Sequence, residues 1–358
     1  MFRTNLIKIL QSSLMKKLFY HFIKLTIKLL SRCYFRRIKI YGKENIPKDG
    51  GIIFSPNHQG AFLDPLLVGC NVPGPVTSLT RSDVFGGPLQ WFMDALKMLP
   101  VYRIRNGYAN LKKNDAIFEK CKKLLADKQW IMMFSEASHL DEYYLKPLSK
   151  GSSRLAYEAQ IESKSPIYIL PVGINYGHHK NPFCDVHLVF GEAIMVNKFM
   201  NQKGEKPELI NLIKDLLKMG MKSCMWLPDN DQNYVERKKM IHPKNTHLDF
   251  YDLKKGIQDQ KLPPKKIRSK GLWHLVMINF FSIPNFPPLL LIKGILGLFK
   301  DVVFYSSIKM TAGILLLFLW WSVVLIMSWT FWGYKIAIIN TMVCIALVYG
   351  RQILLNKH

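Results

Sequence analysis

Residues 51–65 read Gly-Ile-Ile-Phe-Ser-Pro-Asn-His-Gln-Gly-Ala-Phe-Leu-Asp-Pro, a short apolar run followed at once by polar side chains. The apolar run ends at Pro56 and is typical of a buried strand. His58 follows it, and Asp64 lies in the same loop. An imidazole suits general-base work near neutral pH, and a carboxylate on its distal nitrogen fixes the tautomer and stabilises the imidazolium. The stretch therefore predicts a strand with a His–Asp pair at its carboxyl end.

Strand and helix patterns alternate beyond this stretch. Further strand patterns occur at residues 76–79, 99–103, 130–134, 167–174 and 185–191, and helical patterns at 89–96, 110–127, 151–162 and from 207 onward. Such alternation favours a mainly parallel sheet with flanking helices and with active-site residues at strand ends. The predicted fold class is α/β.

Composition and charge limit the partners of the chain. With 358 residues, 49% of them hydrophobic, it can build a core, which excludes a disordered, collagen-like or disulfide-stapled chain. The 50 Lys and Arg against 25 Asp and Glu indicate an anionic partner. No nucleic-acid module accompanies the lysines, which lie on amphipathic helices and beside apolar segments. We therefore expect anionic membrane lipid as a partner, and no nucleic acid.

An amphipathic helix is predicted over residues 1–40. Its apolar stripe consists of Ile7, Leu10, Leu14, Leu18, Phe22, Leu25 and Leu29, spaced by three and four, while lysines lie on the other faces. This pattern is typical of a helix that lies in the headgroup layer of a membrane. The alternative is a helix whose stripe packs on the protein's own core.

The C-terminal third resembles a membrane region. Residues 310–334 carry no charged side chain, which is long enough to cross a bilayer. Residues 336–350 are short for a crossing and are expected to form a transmembrane hairpin with 310–334, a buried soluble helix pair being the alternative. Residues 271–298 are apolar but contain three prolines, so a re-entrant or interfacial element is as consistent as a span. The basic excess before Lys309 places the catalytic region on the cytosolic side.

These patterns divide the chain into four parts. The membrane-associated helix covers 1–40, a catalytic domain 41–228, a polar and basic linker 229–270, and the membrane region 271–358. The six cysteines are scattered without a C-x-x-C pair, which is typical of a reducing, cytosol-facing compartment.

Four blocks, in this order, resemble the glycerolipid acyltransferase family, that is, the glycerol-3-phosphate and 1-acylglycerol-3-phosphate acyltransferases. They are Asn57 to Asp64, Leu99-Pro-Val-Tyr-Arg-Ile-Arg105, Phe134-Ser-Glu-Ala-Ser138, and Ile169-Leu-Pro-Val172 with Phe190-Gly-Glu192 beyond it. The resemblance implies acyl transfer from a thioester, acyl-CoA or acyl carrier protein, to a hydroxyl of a glycerol phosphate acceptor in phospholipid synthesis. It implies no cofactor.

The resemblance also assigns roles. His58 is expected to take the proton of the acceptor hydroxyl as that oxygen attacks the thioester carbonyl, and Asp64 to orient His58. The planar guanidinium groups of Arg103 and Arg105 suit the acceptor's phosphate. Glu136 resembles the family's acceptor-site carboxylate; the structural alternative is a residue that caps the turn after its strand.

The first block departs from the family's usual pattern. Five residues separate His58 from Asp64, whereas four are usual. This longer form resembles a subset of the glycerol-phosphate acyltransferases, so glycerol-3-phosphate is slightly favoured over 1-acylglycerol-3-phosphate. Asn57, which precedes the histidine, is predicted to contact the substrate.

The third block departs as well. His139 stands where the family usually has an arginine, and an imidazole is mostly neutral at pH 7. Lys146, Lys150 and Arg154 follow and can supply the missing charge. Ser138 and Lys150 are predicted to bind the substrate.

Other functions receive less support. His139 makes another lysophospholipid or an amino-acid lipid an alternative acceptor, and a non-catalytic scaffold that binds anionic lipid is the alternative outside the class. His178, His179, Cys184 and His187 flank a turn with a spacing that matches no zinc module, so no metal is expected.

Overall fold

The computed structural model describes residues 2–85, 90–102, 112–178, 182–202, 204–265, 271–299 and 301–356. In this part of the chain eight strands form one sheet: β1 (Arg37–Tyr41), β2 (Gly51–Pro56), β3 (Val76–Arg81), β4 (Met98–Val101), β5 (Trp130–Met132), β6 (Ile167–Tyr176), β7 (Asp185–Phe190) and β8 (Ile194–Met195). Their order is β1-β7-β6-β2-β5-β3-β4, and β8 pairs with β6. All pairs are parallel except β6 with β7 and β6 with β8. The predicted α/β class with a mainly parallel sheet is confirmed.

Helices cover both faces of this sheet. They are α1 (Phe2–Tyr34), α2 (Leu63–Asn71), α3 (Gln90–Ala95), α4 (Lys113–Ala126), α5 (Gly151–Glu162) and α6 (Lys206–Ser223). Successive side chains of the central strand β2 point to opposite faces. Ile52 and Phe54 join an apolar cluster with α1 and α2, whereas Ile53 joins a second cluster with α4, α5 and α6. Because β2 is central and covered on both sides, the loop after it is held firmly at the carboxyl edge of the sheet.

The apolar stripe of α1 faces outward. Leu14, Leu18, Phe22, Leu25 and Leu29 are each between 55% and 64% exposed. The alternative that this stripe packs on the protein's own core is therefore wrong for these five positions; the side chains of residues 2–13 are outside the description. The inward face of the same helix is formed by other residues, Tyr20 and Tyr34 among them.

The segment predicted to be a polar linker, 229–270, differs from that prediction over its described part. It forms two short helices, α7 (Tyr234–Lys238) and α8 (Phe250–Gln258). Phe250, Leu253 and Ile257 are at most 1% exposed and pack against Trp226. Their spacing of three and four places them on one face of α8, so the segment contributes to the core of the α/β domain although its composition is polar.

The C-terminal region contains five helical pieces: α9 (Leu272–Ser282), α10 (Phe286–Gly297), α11 (Phe304–Ile308), α12 (Ile314–Trp332) and α13 (Tyr334–Asn356). Among the described residues three stretches are long and apolar enough to cross a membrane: Leu272–Gly297, Phe304–Trp332 and Tyr334–Leu355. The helix after Gly333 continues past Arg351, so it is longer than the predicted 336–350. The expected hairpin is therefore accompanied by a third apolar stretch, 272–297.

Asn285 stabilises the break between α9 and α10. A short 3₁₀ turn, Ile283–Asn285, separates the two helices at the first of the three prolines. Asn285 is fully buried; its amide donates to the Cys344 carbonyl at 2.8 Å and accepts the indole N–H of Trp321 at 2.9 Å. Polar groups freed by a helix break need partners where no water is present. This one side chain therefore ties the broken helix to α12 and α13.

Candidate active site

His58 and Asp64 meet at the carboxyl end of β2. His58 lies two residues beyond the strand, and Asp64 is in the first turn of α2. Nδ1 of His58 lies 2.7 Å from Oδ2 of Asp64. The imidazole is 16% exposed, the carboxylate fully buried. Because the carboxylate accepts a hydrogen bond from Nδ1–H, the neutral imidazole carries its free lone pair on Nε2, the atom that can act as a base.

The carboxylate of Asp64 is held from several sides. Oδ2 accepts the backbone N–H groups of Gln59 at 2.9 Å and Gly60 at 2.8 Å. Oδ1 accepts the hydroxyl of Tyr176, at the end of β6, at 2.7 Å. Burial, followed by the nearby Asp64 charge, raises the pKa of Tyr176 well above its usual value, so the phenol stays protonated and donates. These donors fix the position of Asp64 and with it the orientation of His58.

The ring of His58 is also fixed by stacking. It lies against Phe134, with ring centroids 4.1 Å apart and planes inclined by 28°. His139 approaches edge-on, with its centroid 5.7 Å away. Two neighbouring rings and one carboxylate thus limit the rotation of the imidazole, which is the preorganisation that proton transfer requires.

Asn57 anchors the loop to β6. Its amide donates to the Ile174 carbonyl at 3.1 Å and accepts the Ile174 N–H at 2.6 Å, and the side chain is 1% exposed. Both ends of the amide bond the backbone of β6, so Asn57 positions the histidine loop. The substrate contact of Asn57 stays a prediction.

Glu136 also contacts that loop. Its Oε1 accepts the backbone N–H of His58 at 3.2 Å, and its Oε2 accepts that of Lys146 at 3.4 Å. The side chain is 6% exposed. Burial raises the pKa of Glu136 to about 8 although these two N–H groups lower it. The carboxyl therefore lies within the site, where it joins the His58 loop to the segment before α5.

The remaining predicted contacts of the third block lie around this carboxyl. The ammonium group of Lys146 donates to the hydroxyl of Ser138, so these two side chains form one polar group beside Glu136. Lys150, at the N-terminus of α5, is exposed. In the described residues no side-chain contact joins Lys150 to the His58 loop, and its role stays a prediction.

The site loop is bonded directly to the start of the second apolar stretch. Ser307, in α11, donates its hydroxyl to the Gly60 carbonyl at 3.0 Å and accepts the N–H of Leu63 at 3.1 Å. Asp301 lies 2.8 Å from Nε2 of His139. The aromatic ring of Phe304 lies edge-on to His139 at 5.4 Å. The His–Asp pair therefore lies beside the N-terminal end of the apolar stretch Phe304–Trp332, a position that we call the base of the apolar helices.

Comparison with known proteins agrees with this geometry. Residues 37–175, which include His58, Asp64 and Glu136, match the sequence model of the family described as Acyltransferase. This part of the chain is thus similar to the acyltransferase family. The match supports the resemblance that the four sequence blocks predict.

A solved structure similar to this chain is that of the 1-acyl-sn-glycerophosphate (LPA) acyltransferase PlsC from Thermotoga maritima. It is 20% identical, with a TM-score of 0.44, over 62% of this chain and 88% of the PlsC chain. No curated protein sequence matches the chain.

Two predicted phosphate contacts, Arg103 and Arg105, lie outside the described residues. The strand that leads to them, β4, is parallel to β3 at the edge of the sheet. Both arginines therefore stay a prediction.

Sequence reasoning missed three residues of the site: Tyr176, Asp301 and Ser307. Tyr176 had a usable signal, since it ends a strand that runs parallel to β2 and so reaches the same edge of the sheet. Asp301 and Ser307 had none: Asp301 precedes an apolar stretch and Ser307 lies at its start, and no local pattern indicates that this stretch packs on the loop that carries His58.

The described side chains include no group of three His, Cys, Asp or Glu residues placed to hold a metal ion. Among the His and Cys residues at 178–187 that were considered as zinc ligands, His187 is buried and accepts the indole N–H of Trp226 at 3.3 Å. His179 lies outside the described residues.

Proposed function

We propose that this protein is a membrane-bound acyltransferase that moves a fatty acyl group from a thioester donor to a hydroxyl of glycerol-3-phosphate or 1-acylglycerol-3-phosphate. The observation that carries the proposal is the 2.7 Å contact between His58 and Asp64. The pair lies within the matched acyltransferase region and at the base of the apolar helices. A base at that position has access to a lipid acceptor or product.

The reaction uses His58 twice. Its Nε2 takes the proton of the acceptor hydroxyl while that oxygen bonds to the thioester carbonyl carbon. The tetrahedral intermediate then expels the thiolate as the C–S bond breaks, and the imidazolium returns the proton to sulfur. Asp64 stabilises the imidazolium in between. Such proton transfer contributes on the order of 10²–10⁴-fold to the rate.

The phosphate of the acceptor needs cations close to His58. Lys146 offers one such cation: its ammonium group donates to the hydroxyl of Ser138, and its backbone N–H donates to Glu136. Together with Arg103 and Arg105 it forms the phosphate site that we propose. Lys150 contributes from the N-terminus of α5, where the helix dipole adds to its charge.

The membrane location rests on two features. Three stretches are apolar and long enough to cross a bilayer, and the apolar stripe of α1 is exposed. With the basic excess on the catalytic side, positive charge favours the cytosolic face for the α/β domain. An acyl chain of the substrate or product then stays in the lipid while its phosphate enters the site.

A second class of acceptor is favoured by one observation. His139 replaces the usual arginine, and its Nε2 contacts Asp301 at 2.8 Å, so this nitrogen is not free for a phosphate. An acyltransferase for another lysophospholipid or for an amino-acid lipid is compatible with this contact, because those acceptors need less positive charge at that position.

The test is a panel of acceptors and donors on the detergent-solubilised full chain. Glycerol-3-phosphate, 1-acylglycerol-3-phosphate, lysophosphatidylcholine and an amino-acid lipid are each combined with acyl-CoA and with acyl carrier protein, and release of the free thiol is measured. We expect turnover with a glycerol phosphate acceptor. Turnover only with the other acceptors selects the second class. Liposome binding with no turnover on any acceptor contradicts enzymatic function and favours a scaffold.

A further inference from the structure

A basic cavity lies between α1 and the C-terminal end of α2. Its volume is about 420 Å³, and its lining includes the cationic side chains of Lys24, Lys28 and Lys43 together with His21. The described residues that line it include no carboxylate. Three ammonium groups around one cavity without a carboxylate in its wall form a site of strongly positive potential.

Lys24 shows how these cations are held. Its ammonium group donates to the carbonyls of Val72 and Gly74, each at 2.7 Å. Burial lowers the pKa of Lys24, and the charges of Lys28 and Lys43 lower it further. The carbonyl dipoles keep the ammonium in place but do not neutralise it. An anion in the cavity would offset the repulsion among the three lysines.

An exposed apolar surface begins at the rim of this cavity. Leu25 lines the cavity and is 57% exposed, and Phe22 and Leu29 beside it on the same stripe of α1 are 64% and 55% exposed. Four residues beyond Leu29, the hydroxyl of Tyr349 in α13 contacts the Cys33 carbonyl at 3.5 Å. The exposed stripe thus lies between this contact with the apolar helices and the N-terminal part of α1, beside the basic cavity.

We propose that this cavity is a binding site for the phosphate of an anionic membrane phospholipid, with the lipid's acyl chains lying against the apolar stripe of α1. A soluble phosphate compound would leave the stripe in water, whereas a bilayer lipid covers both features at once. The arrangement of cations beside exposed leucines is therefore complementary to an amphipathic anion.

The site is separate from the catalytic pair. Asp64 is in the first turn of α2, and Cys70 and Asn71, which line the cavity, are in its last. Seven residues of helix span about 10 Å. A glycerol hydroxyl lies only a few bonds from its own phosphate, so a lipid whose phosphate occupies the cavity does not present that hydroxyl to His58. The lipid in the cavity is therefore distinct from the acceptor, and its binding holds α1 at the bilayer surface.

The experiment measures binding of dioctanoyl phosphatidylglycerol to the full chain in detergent without an acyl donor. Dioctanoyl phosphatidylcholine and inorganic phosphate are the comparison ligands. We expect phosphatidylglycerol to bind more tightly than either. Lys28→Gln and Lys43→Gln are each expected to weaken it about fivefold. Lys48→Gln, a nearby exposed lysine that does not line the cavity, is expected to bind like the wild type.

Three results overturn the site. The first is wild-type affinity in both lysine variants, the second is equal affinity for the two lipids, and the third is inorganic phosphate that binds as tightly as phosphatidylglycerol. The two variants lie on different elements, and their unfolding temperatures without lipid show whether each is folded. Because no acyl transfer is measured, failure here leaves the proposed enzymatic function untouched, and failure of that function leaves this site untouched.

Discussion

One carboxylate oxygen, Oδ2 of Asp64, lies 2.7 Å from Nδ1 of His58 and accepts the backbone N–H groups of Gln59 and Gly60. Gln59 and Gly60 lie between His58 and Asp64 in the chain, and both donate their backbone N–H groups to the Asp64 carboxylate. The loop with five intervening residues closes the His–Asp contact because two of its own N–H groups point at Asp64.

Asp64→Asn tests the orienting role of the carboxylate. An amide does not stabilise the imidazolium and favours the wrong tautomer, so we expect kcat to fall on the order of 10²–10⁴-fold. KM should change little, because Asp64 is fully buried. Steady-state kinetics on the preferred acceptor measure both constants. Asp215→Asn, an exposed aspartate of α6, is the control and should keep wild-type kinetics. If kcat and KM fall in Asp215→Asn as well, the loss of activity does not arise from removing the Asp64 carboxylate.

Gly60→Ala tests how closely the loop must approach Asp64. A Cβ at Gly60 would lie 2.7 Å from Oδ1 of Asp64 and 3.0 Å from the Tyr176 hydroxyl. We expect both lower activity and a loss of about 1–3 kcal/mol in the free energy of unfolding. The matched control is Gly69→Ala in α2, where a Cβ meets nothing within 4 Å; it should stabilise by roughly 0.5–1 kcal/mol. Equal behaviour of the two variants in thermal unfolding and turnover would contradict the geometry.

Ser307→Ala tests the connection between the site loop and the apolar helices. The change leaves the N–H of Leu63 and the carbonyl of Gly60 without this hydroxyl, which costs about 1–3 kcal/mol when such groups are buried. We expect a lower inactivation temperature in detergent and a lower kcat. Ser322→Ala is the control, since its hydroxyl bonds only the Phe318 carbonyl of its own helix. Wild-type kinetics in Ser307→Ala would show that the loop does not depend on the contact.

The raised pKa of Glu136 predicts that the free energy of unfolding depends on pH. Its pKa is about 8 in the folded protein and about 4.5 when unfolded. A raised folded pKa means that this stability is fully present below about pH 4.5 and is lost as the pH rises to about 8. The effect is on the order of a few kcal/mol. Unfolding at pH 6 and pH 8.5 should show a smaller pH dependence in Glu136→Gln than in the wild type; identical pH dependence of the two proteins would refute the raised pKa.

Most of the fold could be predicted because its signals are local. The buried runs at β2, β5 and β6 and the stripe of α1 are visible in short windows of sequence. The elements that were not predicted include β1, which alternates polar and apolar residues over Arg37–Tyr41, the helix α2, and α8, which has an apolar face within a polar segment. Because the residues around α8 are mostly polar and basic, composition did not indicate that a few side chains of this helix are fully buried.

The candidate site was predictable only where its residues are neighbours in the chain. His58 and Asp64 are six positions apart, so one motif contains both. Tyr176 is 112 positions from Asp64, and Ser307 is 247 from Gly60. Contacts at such separations depend on how the sheet and the apolar helices pack, which the sequence alone does not specify. The bonds between the Asn57 amide and Ile174, 117 positions apart, likewise could not be predicted from the motif that contains Asn57.

The most direct measurement is acyl transfer by His58→Ala, compared with the wild type, in detergent with the acceptor and donor that the panel selects. The imidazole is the base in the proposed reaction, so the rate should fall by at least about a hundredfold while the protein stays folded. A folded His58→Ala protein that transfers acyl groups at the wild-type rate would contradict the central claim.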